Sequence, residues 1–183
     1  MVMGKNEFKI DLNHSLTEIK AEIKVSAKLT YSEGYLNVDY DIQDTELRRE
    51  IKQDNGSVWT DSCAEIFIGN GEYYINFELS ASTALLVGKG SGRHNRVLFD
   101  SDKLALVKRS IKILEATEGK NHYILSMSIP LEVFGLNVKD NLSFNLYKCG
   151  DGLKEPHFLS AFEISNKVVD FHQPQFFAPL ALS

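Results

Sequence analysis

The fold is decided by one stretch, VWTDSCAEIFI at residues 58–68, together with its return limb, YYINFEL at residues 73–79. Apolar and polar side chains alternate in both limbs, which is typical of β-strands that pack one face against a core. The linking Asn70-Gly71 pair favours a tight type I′ turn, because both central residues of that turn need positive φ. The pattern therefore predicts a two-stranded antiparallel hairpin.

A two-residue turn at positions 70–71 also predicts the register of this hairpin. Gly69 then pairs with Glu72, and counting outward makes Glu65 and Asn76 cross-strand partners. Both lie on the sheet face that points away from the core. A slip of one residue would bury Glu65 and expose the neighbouring isoleucines, so the pattern favours this register over that one.

The residues around this hairpin have the chemistry of a sugar site. Trp59, the only tryptophan of the chain, precedes Asp61 and is followed along the strands by Glu65, Tyr74 and Asn76. A flat aromatic ring packs against the C–H groups of a sugar, and planar polar groups bind its hydroxyls. An ordinary solvent-exposed sheet face has the same residue types, so this stretch by itself leaves both interpretations open.

Composition limits the class of protein. The chain has 183 residues, a mass of 20.6 kDa and 43% hydrophobic residues, which predicts one domain spanning residues 1–183. A net charge of −5 argues against a nucleic-acid partner, and no stretch is apolar enough to predict a membrane span. Residues 1–7 contain no apolar signal segment, which favours a cytoplasmic protein, or a secreted or periplasmic one whose signal has been removed.

Two groups of residues raise the question of metals and disulfides. Cys63 and Cys149 are compatible with a disulfide, but two buried free thiols are the commoner outcome, and neither cysteine lies in a metal-ligand spacing. Asp39, Asp41 and Asp44 are compatible with structural calcium, since hard cations bind several carboxylate oxygens. Alternation along the strand already explains these aspartates as a solvated face, so no cofactor is expected.

The rest of the chain favours an all-β sandwich of two antiparallel sheets, immunoglobulin-like or jelly-roll-like, with minor helical turns. Short alternating segments recur with hairpin connections and almost no sustained helical period. Residues 130–135 begin with proline and end with glycine, which predicts a single helical turn. The predicted strands, besides the hairpin above, are residues 8–12, 26–31, 35–42, 84–87, 104–114, 122–129 and 142–148.

Two loops are expected to lie near Trp59. Residues 45–57 are rich in charge and end in DNGS, so they are predicted to be the loop that positions Trp59. Residues 88–96, GKGSGRHNR, do not form a phosphate-binding loop, because the Gly-Lys pair is not followed by Ser or Thr and opens no helix. A mobile basic rim near Trp59 is the predicted role of this second loop.

The order of these pieces resembles the family-nine carbohydrate-binding modules and their DOMON-like, immunoglobulin-like sandwich relatives. The resemblance covers most of the chain from about residue 35 onward. It rests on the combination of segments 58–67, 73–78, 128–135, 145–151, 156–160 and 170–177.

The resemblance implies a non-catalytic module that holds a saccharide, of the gluco- or xylo-oligosaccharide class, between two aromatic walls. It makes Trp59 one wall, Glu65 the hydroxyl-binding carboxylate and Arg93 a basic contact. Related sequences have a second tryptophan after the position of Ser160, where this chain has Ala161 followed by Phe162. The predicted site therefore comprises Trp59, Asp61, Glu65, Asn76, Arg93 and Phe162, with half of the aromatic clamp missing or supplied by Phe162.

Three other functions stay open at this point. A glycosidase would use Asp61 and Glu65 as its paired carboxylates, and a haem-binding module of the DOMON type would draw on Met127, His157 and His172. No Cys-x-x-Cys-His or paired-histidine spacing accompanies those residues. A structural or protein-interaction sandwich that has lost sugar binding is the third alternative.

Overall fold

The computed structural model describes residues 7–166 and 168–182. Residues 1–6, on which the expectation about a signal segment depends, lie outside this range. In chain order the strands are β1 (Glu7–Asp11), β2 (His14–Ser15), β3 (Lys24–Ser32), β4 (Tyr35–Asp44), β5 (Cys63–Gly69), β6 (Tyr74–Ser80), β7 (Leu85–Gly90), β8 (Val97–Leu98), β9 (Lys108–Thr117), β10 (Lys120–Pro130), β11 (Ser143–Cys149), β12 (Leu159–Ser160) and β13 (Ala178–Pro179). The helical elements are α1 (Ser101–Leu104) and three 3₁₀ turns, Val58–Thr60, Leu131–Phe134 and Pro174–Phe176.

The strands form two antiparallel sheets, as the sequence predicts. The smaller sheet has the order β1-β3-β4-β10-β9. The larger sheet has the order β2-β12-β11-β5-β6-β7-β8, and β13 also pairs with β11. No helix in the described part of the chain has the length and hydropathy needed to span a bilayer.

The main core lies between the sheets and is built from the inward positions of the alternating strands. Leu36, Val38, Tyr40 and Ile42 of β4 are fully buried there. From the larger sheet, β5 contributes Ala64, Ile66 and Ile68, β6 contributes Ile75, Phe77 and Leu79, and β11 contributes Phe144 and Leu146. The hydrophobic pattern therefore predicted the core-facing residues of β4, β5, β6 and β11.

The outer face of the larger sheet departs from the predicted solvated surface, because a second hydrophobic cluster covers it. Phe67, Tyr74 and Tyr147 project outward from the sheet and pack with Phe171 and its neighbours in the C-terminal segment. The rings of Tyr147 and Phe171 stack with centroids 4.1 Å apart. Every residue of β5 and β6 is consequently buried, including the polar ones.

The register of the central hairpin differs from the predicted one by two residues. Gly69 pairs with Tyr74, not Glu72, and Glu65 pairs with Glu78, not Asn76. The connection is longer than a two-residue turn: the Asn70 N–H donates to the Tyr73 carbonyl, and the Asn70 side-chain oxygen accepts from the Glu72 and Tyr73 N–H groups. Because side chains alternate with period two, a shift of two residues leaves each side chain on its predicted face.

Other local predictions had mixed outcomes. The helical turn forms at Leu131–Phe134 and ends at Gly135, whose φ is +75°. Residues 104–107 do not belong to a strand, since Leu104 ends α1 and β9 begins at Lys108. Asp44 does not share the solvated face of Asp39 and Asp41, because it occupies an inward position of β4 and is buried.

Candidate functional site

A cleft of about 360 Å³ opens on the outer face of the larger sheet. Its size is within the range of small-molecule sites, roughly 300–1,000 Å³. Aromatic, acidic and basic side chains all contribute to its lining. The lining residues are Trp59, Glu65, Glu78, Arg93, His94, Arg96, Cys149, Asp151, Phe158, Val169, Asp170, Phe171 and His172. The structure thus brings together three of the predicted site residues, Trp59, Glu65 and Arg93.

Trp59 forms one side of the cleft and is 38% exposed. It lies in the 3₁₀ turn Val58–Thr60, at the end of the long loop that begins after β4. Its carbonyl accepts a hydrogen bond of 3.0 Å from the Asp151 N–H, which ties this turn to the residues that follow β11. The turn that carries the exposed ring is therefore fixed to the segment after β11 by a backbone hydrogen bond.

Asp61 stabilises the loop of residues 45–57 through hydrogen bonds and does not line the cleft. Its side chain is fully buried, and its two oxygens accept the N–H groups of Glu50 and Ile51, each at 2.9 Å. The Ser80 hydroxyl donates to the same carboxylate at 2.6 Å. These bonds give Asp61 a role in positioning Trp59, and they leave it unavailable as the partner carboxylate of a glycosidase.

Glu65 and Glu78 form the acidic floor of the cleft as direct cross-strand partners on β5 and β6. Glu65 is 3% exposed, and burial raises its pKa well above the usual range of a carboxylic acid. Burial also raises the pKa of Glu78 to about 7, although Arg96 opposes this shift. The Cys149 thiol donates to Glu65 Oε1 at 3.0 Å.

Asn76 lies beneath this floor. It is fully buried, and its side-chain N–H donates to Glu78 Oε1 at 2.8 Å. The predicted carboxamide therefore positions a cleft residue and does not line the cleft.

The loop after β7 forms the basic rim that the sequence indicated. Arg93 is well exposed and lies 3.4 Å from Asp170 through Nη1. Arg96 is mostly buried, and its Nη1 atom lies 3.7 Å from Glu78 Oε1. Each arginine therefore has an acidic neighbour within the cleft.

Phe162 lies apart from the cleft. Its ring packs edge-on against Phe144, with centroids 5.2 Å apart, on the margin of the main core. The aromatic residues that do line the cleft with Trp59 are Phe158 and Phe171, which pack edge-on with centroids 6.1 Å apart.

Several lining residues could not be inferred from the hairpin. Glu78 was on the correct face of the predicted sheet, but the wrong register placed Asn76 in its position opposite Glu65. Asp151 and His172 reach the cleft through long-range packing. Burial lowers the pKa of His172 to about 3, so the ring is neutral and its Nδ1 can accept the Tyr74 hydroxyl at 2.8 Å.

The residues considered for calcium or haem have other neighbours in the structure. Asp39 accepts from Ser126, Asp41 contacts His122, and Asp44 is buried on the opposite face of the same strand. Met127 is in the main core, while His157 lies 3.2 Å from Asp44 and His172 contacts Tyr74 on the outer face.

The chain resembles known proteins along nearly its whole length. A family model described as carbohydrate-binding family 9 matches residues 10–182. No curated protein shows significant similarity to the chain. Among solved structures, a candidate carbohydrate-binding protein of Bacteroides uniformis ATCC 8492 is 28% identical with a TM-score of 0.87, covering 96% of this chain and 86% of that one.

Two further solved structures come from a family-9 carbohydrate-binding module of Caldicellulosiruptor kristjanssonii. The complex with glucose has a TM-score of 0.63 and 13% identity, covering 97% of this chain and 85% of that one. The complex with cellotriose has a TM-score of 0.61 and 13% identity, covering 97% and 83%. At this identity the likeness shows the shared sandwich fold.

Proposed function

Because the chain belongs to carbohydrate-binding family 9, we propose that it is a non-catalytic module that binds a neutral gluco-oligosaccharide in the Trp59 cleft. The observation that carries this proposal is the placement of one exposed tryptophan beside buried carboxyl groups in a single cleft. The ring offers a flat surface for the C–H face of a sugar, and the floor offers donors and acceptors for its hydroxyls.

The charges of the cleft favour a neutral sugar over an acidic or basic one. Burial keeps Glu65 protonated, so it can both donate to and accept from hydroxyl groups. Arg93 and Arg96 already have acidic neighbours, Asp170 and Glu78. With these charges balanced internally, the cleft presents hydrogen-bonding groups more than net charge.

Phe158 is proposed as the second aromatic surface, in the role that the sequence had assigned to Phe162. It lines the cleft with Trp59 and is only partly buried, whereas Phe171 is largely covered by its stacking on Tyr147. A phenylalanine provides less contact area than tryptophan, so we expect weaker binding than a double-tryptophan clamp gives, by about 1 kcal/mol per aromatic contact.

The gluco class is proposed because solved family-9 structures with this fold hold glucose and cellotriose. Non-catalytic binding is proposed because Asp61, the second carboxylate of the glycosidase hypothesis, is sequestered beneath the loop. Incubation with cellotriose is therefore expected to leave the sugar intact. Release of reducing sugar that disappears in Glu78→Gln would instead favour hydrolysis by the Glu65 and Glu78 pair.

The test uses the single tryptophan as its probe. Glucose, cellotriose, xylotriose and galactose are titrated into the protein while Trp59 emission is followed. We expect a saturable shift with the gluco-saccharides, weakened about tenfold in Glu65→Ala, because that substitution removes both hydrogen-bonding oxygens. Glu65→Gln should stay within a few-fold of wild type, since a carboxamide also donates and accepts.

Phe162→Leu is the matched control outside the cleft and should bind like wild type. Silence of Trp59 across the panel in folded protein would contradict the proposal and favour a protein-interaction domain. Equal weakening by Phe162→Leu and Glu65→Ala would show that the mutations act through the fold and not through the cleft.

A further inference from the structure

A second kind of site lies in the floor of the cleft, where two thiols and a carboxyl group converge. We propose that Cys63, Glu65 and Cys149 bind a zinc-class divalent metal ion. One ligand atom from each residue can be chosen so that all three lie within 4.8 Å of one another, and all three residues are buried. This inference does not depend on sugar binding, although both sites use Glu65.

The backbone of the sheet fixes the three positions. Cys63 and Glu65 are two residues apart on β5, so their side chains project from the same face. Cys149 on β11 is the direct cross-strand partner of Cys63. Its sulfur already lies 3.0 Å from Glu65 Oε1. Two neighbouring strands, and not a flexible loop, therefore bring these groups together, which explains why linear spacing gave no metal signal.

Metal binding at this cluster exchanges protons for a cation. Burial raises the pKa of Cys63 to about 12, and the hydrogen bond with Cys63 together with burial raises the pKa of Cys149 well above its ordinary value. Among the described residues, no lysine or arginine makes an ion pair with Glu65. Without a metal, all three groups keep their protons. A divalent ion would displace two thiol protons and one carboxyl proton to solvent as two metal–sulfur bonds and one metal–oxygen bond form.

The ligand types select the class of metal. Thiolates favour zinc-like ions, whereas calcium and magnesium prefer sites made of oxygen atoms. Tetrahedral zinc, with bonds of about 2.3 Å to sulfur and about 2.1 Å to oxygen, needs ligand atoms roughly 3.5–3.8 Å apart. The Cys149 sulfur lies 3.0 Å from Glu65 Oε1 and the other two separations are at most 4.8 Å, so small side-chain rotations suffice. Because Glu65 and Cys149 line the cleft, a water molecule can supply the fourth ligand from there.

The experiment adds Co²⁺ to the whole chain, stripped with a chelator and kept reduced with a phosphine. Cobalt is used because thiolate ligation gives it a near-ultraviolet charge-transfer band and tetrahedral geometry gives intense visible bands. We expect both signals at one equivalent, and their loss when Zn²⁺ is added. Cys63→Ser and Cys149→Ser should each weaken the charge-transfer band or abolish it.

Glu65→Gln keeps the proposal falsifiable if a cysteine variant fails to fold. It should retain the sulfur-to-cobalt band but weaken cobalt affinity at least tenfold, while Glu163→Gln, at an exposed position, should leave affinity unchanged. Reduced, folded wild-type protein that gives no charge-transfer band and retains no zinc after gel filtration would overturn the site. A band that persists unchanged in Cys149→Ser would overturn it as well.

Discussion

Buried acids on the two sides of the larger sheet have opposite surroundings. Between the sheets, Asp44 lies 3.1 Å from the ammonium of Lys148, and both side chains are fully buried. Burial alone would raise the pKa of Asp44, but Lys148 and His157 outweigh it and hold that pKa well below the usual range. On the outer face, Glu65 is buried to the same extent as Asp44, but its neighbour is the Cys149 thiol and not a cation. Its pKa is therefore raised.

This difference separates a closed structural pair from an open binding surface. Asp44 and Lys148 compensate each other's charge between the two sheets. Glu65 and Glu78 border a cleft. The charged neighbour of Glu78 is Arg96, whose Nη1 lies 3.7 Å from Glu78 Oε1, which is too long for a good hydrogen bond. Both carboxyl groups can therefore still hydrogen-bond a ligand. Buried polarity therefore indicates a candidate site only where the group also faces an opening and lacks a matched charge.

The largest expected effect is on the closed pair. Lys148→Met removes the buried ammonium beside Asp44 and leaves only His157 as its partner, which should lower the free energy of unfolding by about 3–5 kcal/mol at neutral pH. The double variant Lys148→Met/Asp44→Leu removes both charges and should recover most of that loss. Urea unfolding measures both effects. A free energy of unfolding of Lys148→Met within about 1 kcal/mol of wild type would show that the Asp44–Lys148 pair contributes little to stability.

A second effect, of opposite sign, is expected on the cleft floor. Because the pKa of Glu78 is raised to about 7, the folded protein keeps a proton there that the unfolded chain releases above its ordinary pKa of 4.5. This contribution makes stability fall as the pH rises from about 4.5 to about 7. Glu78→Gln should remove it and stabilise the protein by about 1–3 kcal/mol at pH 8.

The measurement compares urea unfolding of Glu78→Gln and wild type at pH 4.5 and pH 8, with Glu163→Gln as the exposed control. The gain should appear only at the higher pH. A gain of equal size at both values would point to better packing and not to the ionisation of Glu78. Glu65 contributes in the same direction, so some pH dependence should persist in the variant.

A smaller effect is expected where the cleft meets solvent. Trp59→Ala removes one stacking surface, so cellotriose affinity measured by calorimetry should fall by about 1 kcal/mol, or roughly five- to tenfold. Trp59→Phe should recover part of it. Since the ring is 38% exposed, the free energy of unfolding should change much less than in Lys148→Met. Unchanged affinity would exclude Trp59 from the site.

The smallest effect is expected at the rim. Arg93 and Asp170 form an exposed pair, in which the Arg93 side chain is 58% accessible. Surface pairs of this kind contribute roughly 0–1 kcal/mol, so Arg93→Ala should leave the free energy of unfolding nearly unchanged. A loss comparable with that of Lys148→Met would mean that the rim stabilises the fold as much as the interior ion pair does.

Local pattern predicted the fold well because the strand faces follow from period two alone. It assigned β4 and β11 their inward residues, and Gly135 marked the end of a helical turn. The hairpin register was wrong because Asn70 closes a longer loop with its side chain. That loop moves Glu78 opposite Glu65 without changing the face of either residue.

The cleft was less predictable because its walls come from distant segments. Trp59, Glu65 and Arg93 were identified from local sequence and family resemblance. Asp151 and Phe158 reach the cleft through long-range contacts, and His172 belongs to the C-terminal segment that packs on the outer face. The same packing turned a face that alternation marks as solvated into a buried one. Phe162 was assigned by its place in the chain, but its ring packs on Phe144.

The most direct test of this account is a carbon-detected NMR titration of the carboxyl groups of Asp44, Glu65 and Glu78, with and without cellotriose. We predict that Asp44 titrates well below the usual range of a carboxylic acid, that Glu78 titrates near pH 7 and Glu65 well above its ordinary value, and that cellotriose perturbs only Glu65 and Glu78. Titration of Glu65 near the ordinary value of 4.5, or carboxyl signals that do not respond to the sugar, would contradict it.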